Sequence, residues 1–198
     1  MDLVLQVWGG AFYLINKMLF AFSEGKKGRV KKTLKMNGWI IYILGVPAWV
    51  IILVGHQNWI AASIEAGGIP AMILGLYNTY YDNQRQHKWF NYTVAICTYS
   101  SLVFGLLYSV LTHGGITSLS QVLEVGVMLG FLLGSYAIAK DKAIGWFFFM
   151  LMNLSMGALM LLQGKPILML QQLVSFSFVF YAYIQSRPKK SARKVNAN

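Results

Sequence analysis

The sequence predicts an all-α integral membrane protein with seven transmembrane helices, and three observations support this prediction. Apolar residues make up 57% of the 198-residue chain and charged residues only 12%, which is too apolar for a soluble domain. Apolar stretches close to the roughly 20 residues that cross a bilayer recur along the chain. The gaps between them alternate between basic and nearly uncharged segments. The seven stretches are 3–22, 39–54, 59–81, 89–112, 116–139, 146–162 and 166–184.

The basic residues predict how the helices are oriented. Of 17 Lys and Arg residues, 15 fall in the first, third and fifth gaps and in the C-terminal tail, one (Lys165) falls in the sixth gap, and Lys17 lies within the first stretch. Cytoplasmic loops carry such an excess of positive charge. We therefore expect a multi-pass protein of the plasma (inner) membrane, with its N-terminus outside and its C-terminus in the cytoplasm. The net charge of +11 then reflects topology and lipid contact, with no nucleic-acid partner expected.

The first apolar stretch is predicted to remain in the protein as a helix. Basic residues follow this stretch rather than precede it, which is the reverse of a signal peptide. Cys97 is the single cysteine, and the three histidines show no ligand-like spacing. The sequence predicts neither a metal nor a cofactor, and it argues against an enzyme.

Matching positions at the two ends of the chain indicate an internal repeat. A three-helix block begins and ends on opposite faces of the membrane, so two blocks with the same orientation need a linker helix between them. The predicted parts are a first three-helix block at 1–84, linker helix four at 85–115, a second three-helix block at 116–187 and a basic cytoplasmic tail at 188–198. The matched pairs are Leu5-Gln6 with Leu123-Glu124, Gly38-Trp39 with Gly145-Trp146, and Ile64-Glu65 with Leu170-Gln171.

Polar side chains within the predicted spans are the candidate site residues. Ionisable groups inside a bilayer are costly and often mark a functional site. Carboxylates and amides from several helices could converge on one cavity and recognise a small polar solute, namely Glu65, Glu124, Asn153, Gln171 and Gln172. The alternative is that they form hydrogen bonds that hold the helices together.

Three further residues carry structural expectations. Lys17 lies near the inner end of the first helix, and we expect its side chain to reach toward the cytoplasmic headgroups. Pro47 and Pro70 should kink the second and third helices, which membrane helices tolerate.

The second block resembles the repeat unit of the PnuC vitamin transporters. The resemblance covers about residues 120–187 and rests on Leu123-Glu124, a glycine-rich helix, Trp146 followed by Asn153, Gln163-Gly164, and Leu170-Gln171. It implies a three-one-three fold and facilitated diffusion of nicotinamide riboside, thiamine or riboflavin, without a cofactor. It further implies that Trp146, Asn153 and Gln171 contact the substrate and that the protein forms a trimer.

The first block departs from the PnuC pattern at three positions. Gln6 stands in place of the acid, Val46 stands at the position of Asn153, and Glu65 replaces the expected glutamine. A transporter related to the SWEET and PQ-loop group is one alternative reading. A scaffold or accessory membrane protein without transport activity is another.

Overall fold

The computed structural model describes residues 2–55, 59–82, 87–113, 118–162, 164 and 166–186. These residues form helices and connecting turns, without a strand, so the predicted all-α class is confirmed. The helical segments are α1 (Asp2–Glu24), α2 (Gly28–Gly55), α3 (Trp59–Gly67), α4 (Ile69–Tyr80), α5 (Lys88–His113), α6 (Leu119–Ala139), α7 (Ile144–Leu162) and α8 (Pro166–Ser186).

Five segments of these helices are long and apolar enough to cross a membrane. They are Gly28–Ile51, Lys88–Tyr108, Leu119–Ala139, Ile144–Leu162 and Leu168–Ser186. This length and composition are those of a multi-pass helical membrane protein.

The predicted third helix is interrupted, and α3 and α4 are its two parts. Pro70 is the second residue of α4, where its missing N–H and fixed φ are tolerated, whereas within a longer helix its ring would collide with a preceding carbonyl. Gly68, between the two segments, donates to the carbonyl oxygens of Ile64 and Glu65 at 3.1 and 3.2 Å. If α3 and α4 are counted together as one rod, the described helices form seven rods. The kink expected at Pro70 takes the form of this interruption between α3 and α4. Pro47, by contrast, lies inside an uninterrupted α2.

The helix α2 begins earlier than the apolar pattern predicts. The basic segment before Trp39 was expected to form a loop, but the chain is helical from Gly28 onward. Gly28 has a φ of +57°, a conformation that favours glycine and turns the chain directly into the helix. The first turns of α2 can carry several lysines because acidic side chains from other segments pair with them, at Glu24, Asp82 and Asp141.

Six of the seven rods close into a ring. Around the ring, α1 packs on α2, α2 on α3 and α4, α4 on α6, α6 on α7, α7 on α8, and α8 on α1. Outside it, α5 packs against α3, α4 and α6. The interior holds large side chains that are at most 1% exposed, namely Phe20, Trp39, Tyr42, Trp146 and Phe149. These five side chains come from α1, α2 and α7, and the buried core continues from them onto α4, α5, α6 and α8.

Glycines bring α6 close to α7. A Cβ atom at Gly130 would stand 2.6 Å from both the backbone nitrogen of Met152 and the backbone oxygen of Phe148. At Gly134 it would meet the ring of Phe149 at 2.7 Å. These glycines make one face of α6 a packing surface for α7. Membrane helices commonly use small residues in this way.

Charged residues gather at one end of the ring, which we call the basic end. It comprises the end of α1, the start of α2, the turn after α4, the α6–α7 turn and the end of α8. The alternation of charge predicted from the sequence holds for these described segments. Arg85, Lys165 and the predicted tail at 188–198 lie outside the described residues.

Candidate functional site

A lysine of α1 lies at the centre of the ring. The side chain of Lys17 is buried, and its Nζ lies 3.4 Å from the ring centroid of Phe149 on α7 and 4.7 Å from that of Tyr42 on α2. The expectation that Lys17 reaches the headgroups is therefore wrong. Lys17 lies one turn from Tyr13 and Phe20, on the face of α1 that points into the ring, so its side chain extends inward.

A glutamate of α3 supplies negative charge to the same region. The carboxylate of Glu65 accepts a short hydrogen bond from the hydroxyl of Tyr13. Tyr13 in turn packs edge-to-face on Tyr42, with ring centroids 5.2 Å apart, and Tyr42 lies beside the ammonium group of Lys17. We call the set Tyr13, Lys17, Tyr42, Glu65 and Phe149 the central cluster.

The ammonium group of Lys17 has no hydrogen-bond acceptor among the described residues. Its favourable contacts are the two ring faces, each worth up to about 2 kcal/mol where water is excluded, together with the field of Glu65. An isolated ion costs several kcal/mol to bury, so these contacts and the opposite charge are what hold the lysine inside.

Aromatic side chains extend the central cluster toward the basic end. Phe149 packs on Trp146 at 6.1 Å between centroids, and Trp146 packs on Phe20 at 6.5 Å. Phe20 is edge-on to Trp39 at 4.7 Å. Trp146, a candidate from the sequence, is thus separated from Lys17 by one ring. These flat, apolar walls could stack against a heterocycle.

Three buried asparagines, Asn16, Asn78 and Asn153, hold polar atoms without partners among the described residues. Asn153 donates from Nδ2 to the carbonyl oxygen of Phe149 at 2.7 Å, and its Oδ1 is unpaired. Asn16, which precedes Lys17, is fully buried with both Nδ2 and Oδ1 unpaired. Because buried polar groups are normally paired, these atoms are free to bond with water or with a solute that reaches them.

The remaining candidates lie away from the central cluster. Gln171 donates from Nε2 to the carbonyl oxygen of Gly10 at 3.1 Å, which ties α8 to α1. Gln172 is half-buried on α8 against α7, and Glu124 is exposed on α6. Glu65 and Gln171, which the sequence matches between the two blocks, both bind α1, at Tyr13 and at the carbonyl oxygen of Gly10.

The sequence analysis missed Tyr13, Asn16, Tyr42 and Phe149. A usable signal exists for three interior positions of α1, because Tyr13, Lys17 and Phe20 follow helical spacing on one face. Tyr42 and Phe149 carry no such signal, since only the fold brings α2 and α7 to the same lysine.

Ion pairs join helices at the basic end. Lys35 bridges Glu24 of α1 at 3.2 Å and Asp141 of the α6–α7 turn at 2.5 Å. Lys32 pairs with Asp82 at 2.7 Å, and Glu24 also accepts from Lys31 at 3.5 Å. Burial alone would raise the pKa of Asp141, but the charge and hydrogen bond of Lys35, together with the charge of Lys31, outweigh burial and hold that pKa below its usual value.

Two cavities lie among these ion pairs. The larger, of about 590 Å³, is lined by the start of α2, the end of α4 and the α6–α7 turn. The smaller, of about 150 Å³, lies between Glu24, Lys35, Asp141 and Trp146. Trp146 therefore contacts both the aromatic walls of the centre and a cavity at the basic end.

The described helices define a polytopic membrane protein with opposite charges in its core. No protein-family profile, curated protein or solved structure matches the chain. The resemblance to PnuC transporters is therefore carried only by the residues quoted from the second block.

Proposed function

We propose that the protein is a membrane transporter that moves a small vitamin-like or nucleoside-like solute by facilitated diffusion. Nicotinamide riboside is the first candidate, by the resemblance of the second block. The observation that carries this proposal is the central cluster, where the ammonium group of Lys17 and the carboxylate of Glu65 stand among aromatic rings. The unpaired amide atoms of Asn16, next to Lys17, and of Asn153, one turn from Phe149, add polar groups beside it. Ionisable groups in this position in a membrane protein commonly belong to a substrate path.

The pattern of helix contacts supports two parallel blocks. The first helix of one block, α1, packs on the last helix of the other, α8. The last rod of the first block, through α4, packs likewise on α6, the first helix of the second block. Reciprocal contacts of this kind are expected of repeats related by an axis along the membrane normal, with α5 as the linker helix. A solute site between the blocks then coincides with the central cluster.

Transport would proceed by rocking of one block against the other. By the positive-inside rule, the basic end faces the cytoplasm. Lys35 of the first block holds Asp141 of the second there, so this contact must break before the blocks separate at that end. The remaining partners we propose are the lipid bilayer and further copies of the chain, as a trimer by resemblance.

Uptake into proteoliposomes tests the proposal. We expect labelled nicotinamide riboside, thiamine, riboflavin or uridine to equilibrate across the membrane faster than in protein-free liposomes, without an imposed gradient. Equal rates with and without protein for all four solutes would contradict a transporter of this class.

Two substitutions test the site assignment. Asn153→Ala should lower solute affinity by at least about tenfold, because a site that hydrogen-bonds a solute loses discrimination when its amide is removed. Gln171 lies outside the central cluster and bonds to Gly10, so its contact with the solute is expected from the resemblance alone, and Gln171→Ala tests that expectation. Ser177→Ala is the matched control, since Ser177 is exposed on α8 and bonds only to Leu173 of its own helix. Unchanged affinity in both variants would remove these residues from the site.

A scaffold without transport activity is the second candidate function. Asn153 and Gln171 each donate to a backbone carbonyl within the bundle, at Phe149 and Gly10, which favours a structural role. Under this alternative, both alanine variants lose thermal stability, and no solute in the panel is bound or transported.

A further inference from the structure

The larger cavity at the basic end has an exposed rim and a buried inner end. Gly28 and Arg29, at the start of α2, are exposed, whereas Asn78 of α4 and Ala139 of α6 are buried, and all four residues line the cavity. Its volume of about 590 Å³ lies within the usual range of sites for small molecules. A ligand can therefore enter at the end of the bundle and reach its interior.

The lining of this cavity favours an anion. Arg29 has no ion pair with a carboxylate among the described residues. The pair of Lys32 with Asp82 is exposed, and such a pair exchanges one partner for another at little cost. The first turn of α2 adds backbone N–H groups without intrahelical partners and the positive end of the helix dipole. In all, the carboxylates of Asp82 and Asp141 face four cations of α2, namely Arg29, Lys31, Lys32 and Lys35.

A buried amide at the inner end calls for a second feature of the ligand. Nδ2 of Asn78 donates to the carbonyl oxygen of Ala139 at 2.8 Å, which fixes the orientation of the amide. The side chain is only 6% exposed, and its Oδ1 has no hydrogen-bond partner among the described residues. A buried acceptor is costly to leave unpaired, and a hydroxyl group satisfies it. A fully ionised phosphate only accepts hydrogen bonds, so this donor must come from another part of the ligand.

We propose that this cavity binds a phosphate ester whose organic part carries a hydroxyl group. The phosphate lies at Arg29, Lys32 and the first turn of α2, and the hydroxyl group donates to Oδ1 of Asn78. Two sources supply this chemistry, namely the headgroup of a lipid such as phosphatidylglycerol and a soluble ester such as glycerol 3-phosphate. No residue of the central cluster lines the cavity, and the inference does not depend on the proposed transport function.

Two matched pairs of ligands test the chemistry and its source. Phosphatidylglycerol and phosphatidylethanol have the same charge and differ in the hydroxyl groups of the headgroup. Glycerol 3-phosphate and ethyl phosphate repeat this comparison without the lipid tails. Native mass spectrometry measures lipid binding to the purified full-length protein, and calorimetry in detergent measures binding of the soluble esters. In at least one pair, we expect the ligand with hydroxyl groups to bind about fivefold more tightly, as one added hydrogen bond allows.

Substitutions then assign the site. Arg29→Gln removes the cation that has no ion pair and should weaken binding of the preferred ligand by about tenfold, since hydrogen bonds between charged groups are the stronger ones. Lys88→Gln is the matched control, because it removes a positive charge from an exposed position at the start of α5, outside both cavities, and should leave binding unchanged. Asn78→Leu keeps the approximate size of the side chain and should abolish the preference for the hydroxyl group.

Each outcome bears on the inference. Preference within the lipid pair alone identifies a headgroup as the ligand, preference within the soluble pair identifies a free phosphate ester, and either result supports the site. Equal binding within both pairs would overturn the ligand class and the role of Asn78, and so would no binding of any of the four. Equal effects of Arg29→Gln and Lys88→Gln would reduce binding to a general attraction between a basic surface and anions, which overturns the site. If Asn78→Leu does not fold, the two ligand pairs on the unmodified protein decide.

Discussion

Lysine and carboxylate side chains come together in two regions of the protein, and these regions differ in their access to solvent. At the basic end, Lys32 and Asp82 approach to 2.7 Å in direct contact, with side chains that are 32% and 58% exposed. At the centre, Lys17 is buried and reaches Glu65 only through Tyr13 and Tyr42. The closer pair is thus the more exposed one. The central cluster therefore differs from the basic end in its removal from water and not in a shorter distance between charges.

The difference follows from the dielectric environment. An exposed pair exchanges water for a partner at little net gain, and salt screens it. A buried charge without a nearby counter-charge has no partner that replaces its lost hydration directly. Every favourable contact of the surrounding cluster is therefore needed to keep that charge buried. The basic end can therefore open and close at low cost, whereas the centre should respond sharply to any change in charge.

Removing one charge from the centre should produce the largest effect on stability. Glu65→Leu leaves the ammonium group of Lys17 buried without its counter-charge, and we expect a loss of about 3–5 kcal/mol in the free energy of unfolding. The double variant Lys17→Met/Glu65→Leu should recover most of this loss, because no buried charge then remains. Denaturant unfolding in detergent, followed by tryptophan fluorescence, gives the values.

The matched control is a charge removed from the basic end. Asp82→Asn keeps the shape of the side chain and suits the positive φ of 51° at this position. Its cost should stay within about 1 kcal/mol, as for other exposed pairs. Equal costs for Glu65→Leu and Asp82→Asn would remove the distinction between the two regions.

Packing around the centre should give the next largest effect. A methyl group at Gly130 would collide with backbone atoms of α7, so Gly130→Ala should cost about 1–3 kcal/mol by forcing α6 and α7 apart. Gly157→Ala is the control, because a Cβ atom there would meet Gln172 at an ordinary 3.5 Å. That variant should be neutral or more stable, since alanine favours a helix over glycine by up to about 1 kcal/mol. A stable Gly130→Ala protein would show that α7, and with it Phe149, is not held rigidly against α6.

The sequence predicted the helices and the basic end better than it predicted the central cluster. Apolar length and charge are properties of the chain itself, so the helical class, the break at Pro70 and the gathering of lysines could be predicted directly. The burial of Lys17 does not follow from its distance to a helix end, because that distance does not say which face of the helix points inward. Its helical spacing with Tyr13 and Phe20 is the signal that could have indicated that face. Phe149 and Tyr42 reach the lysine from distant parts of the chain, and only the closure of the ring brings them together. The repeat and the solute remain predictions for the same reason, since both depend on how the blocks meet.

The smallest expected effect is a pH response at the basic end. Lys35 holds the pKa of Asp141 below its unfolded value of about 3.9, so the pair contributes stability above that pH and loses it as the pH falls through the lowered pKa. The unfolding temperature of the wild-type protein should therefore drop further on acidification than that of Asp141→Asn, and added salt should reduce this difference. Thermal unfolding at a series of pH values and two salt concentrations measures both effects. Identical pH profiles for the two proteins would mean that the contact between Lys35 and Asp141 contributes nothing to holding α2 against the α6–α7 turn. A difference that salt abolishes would instead support a contact weak enough to break in the transport cycle that we propose.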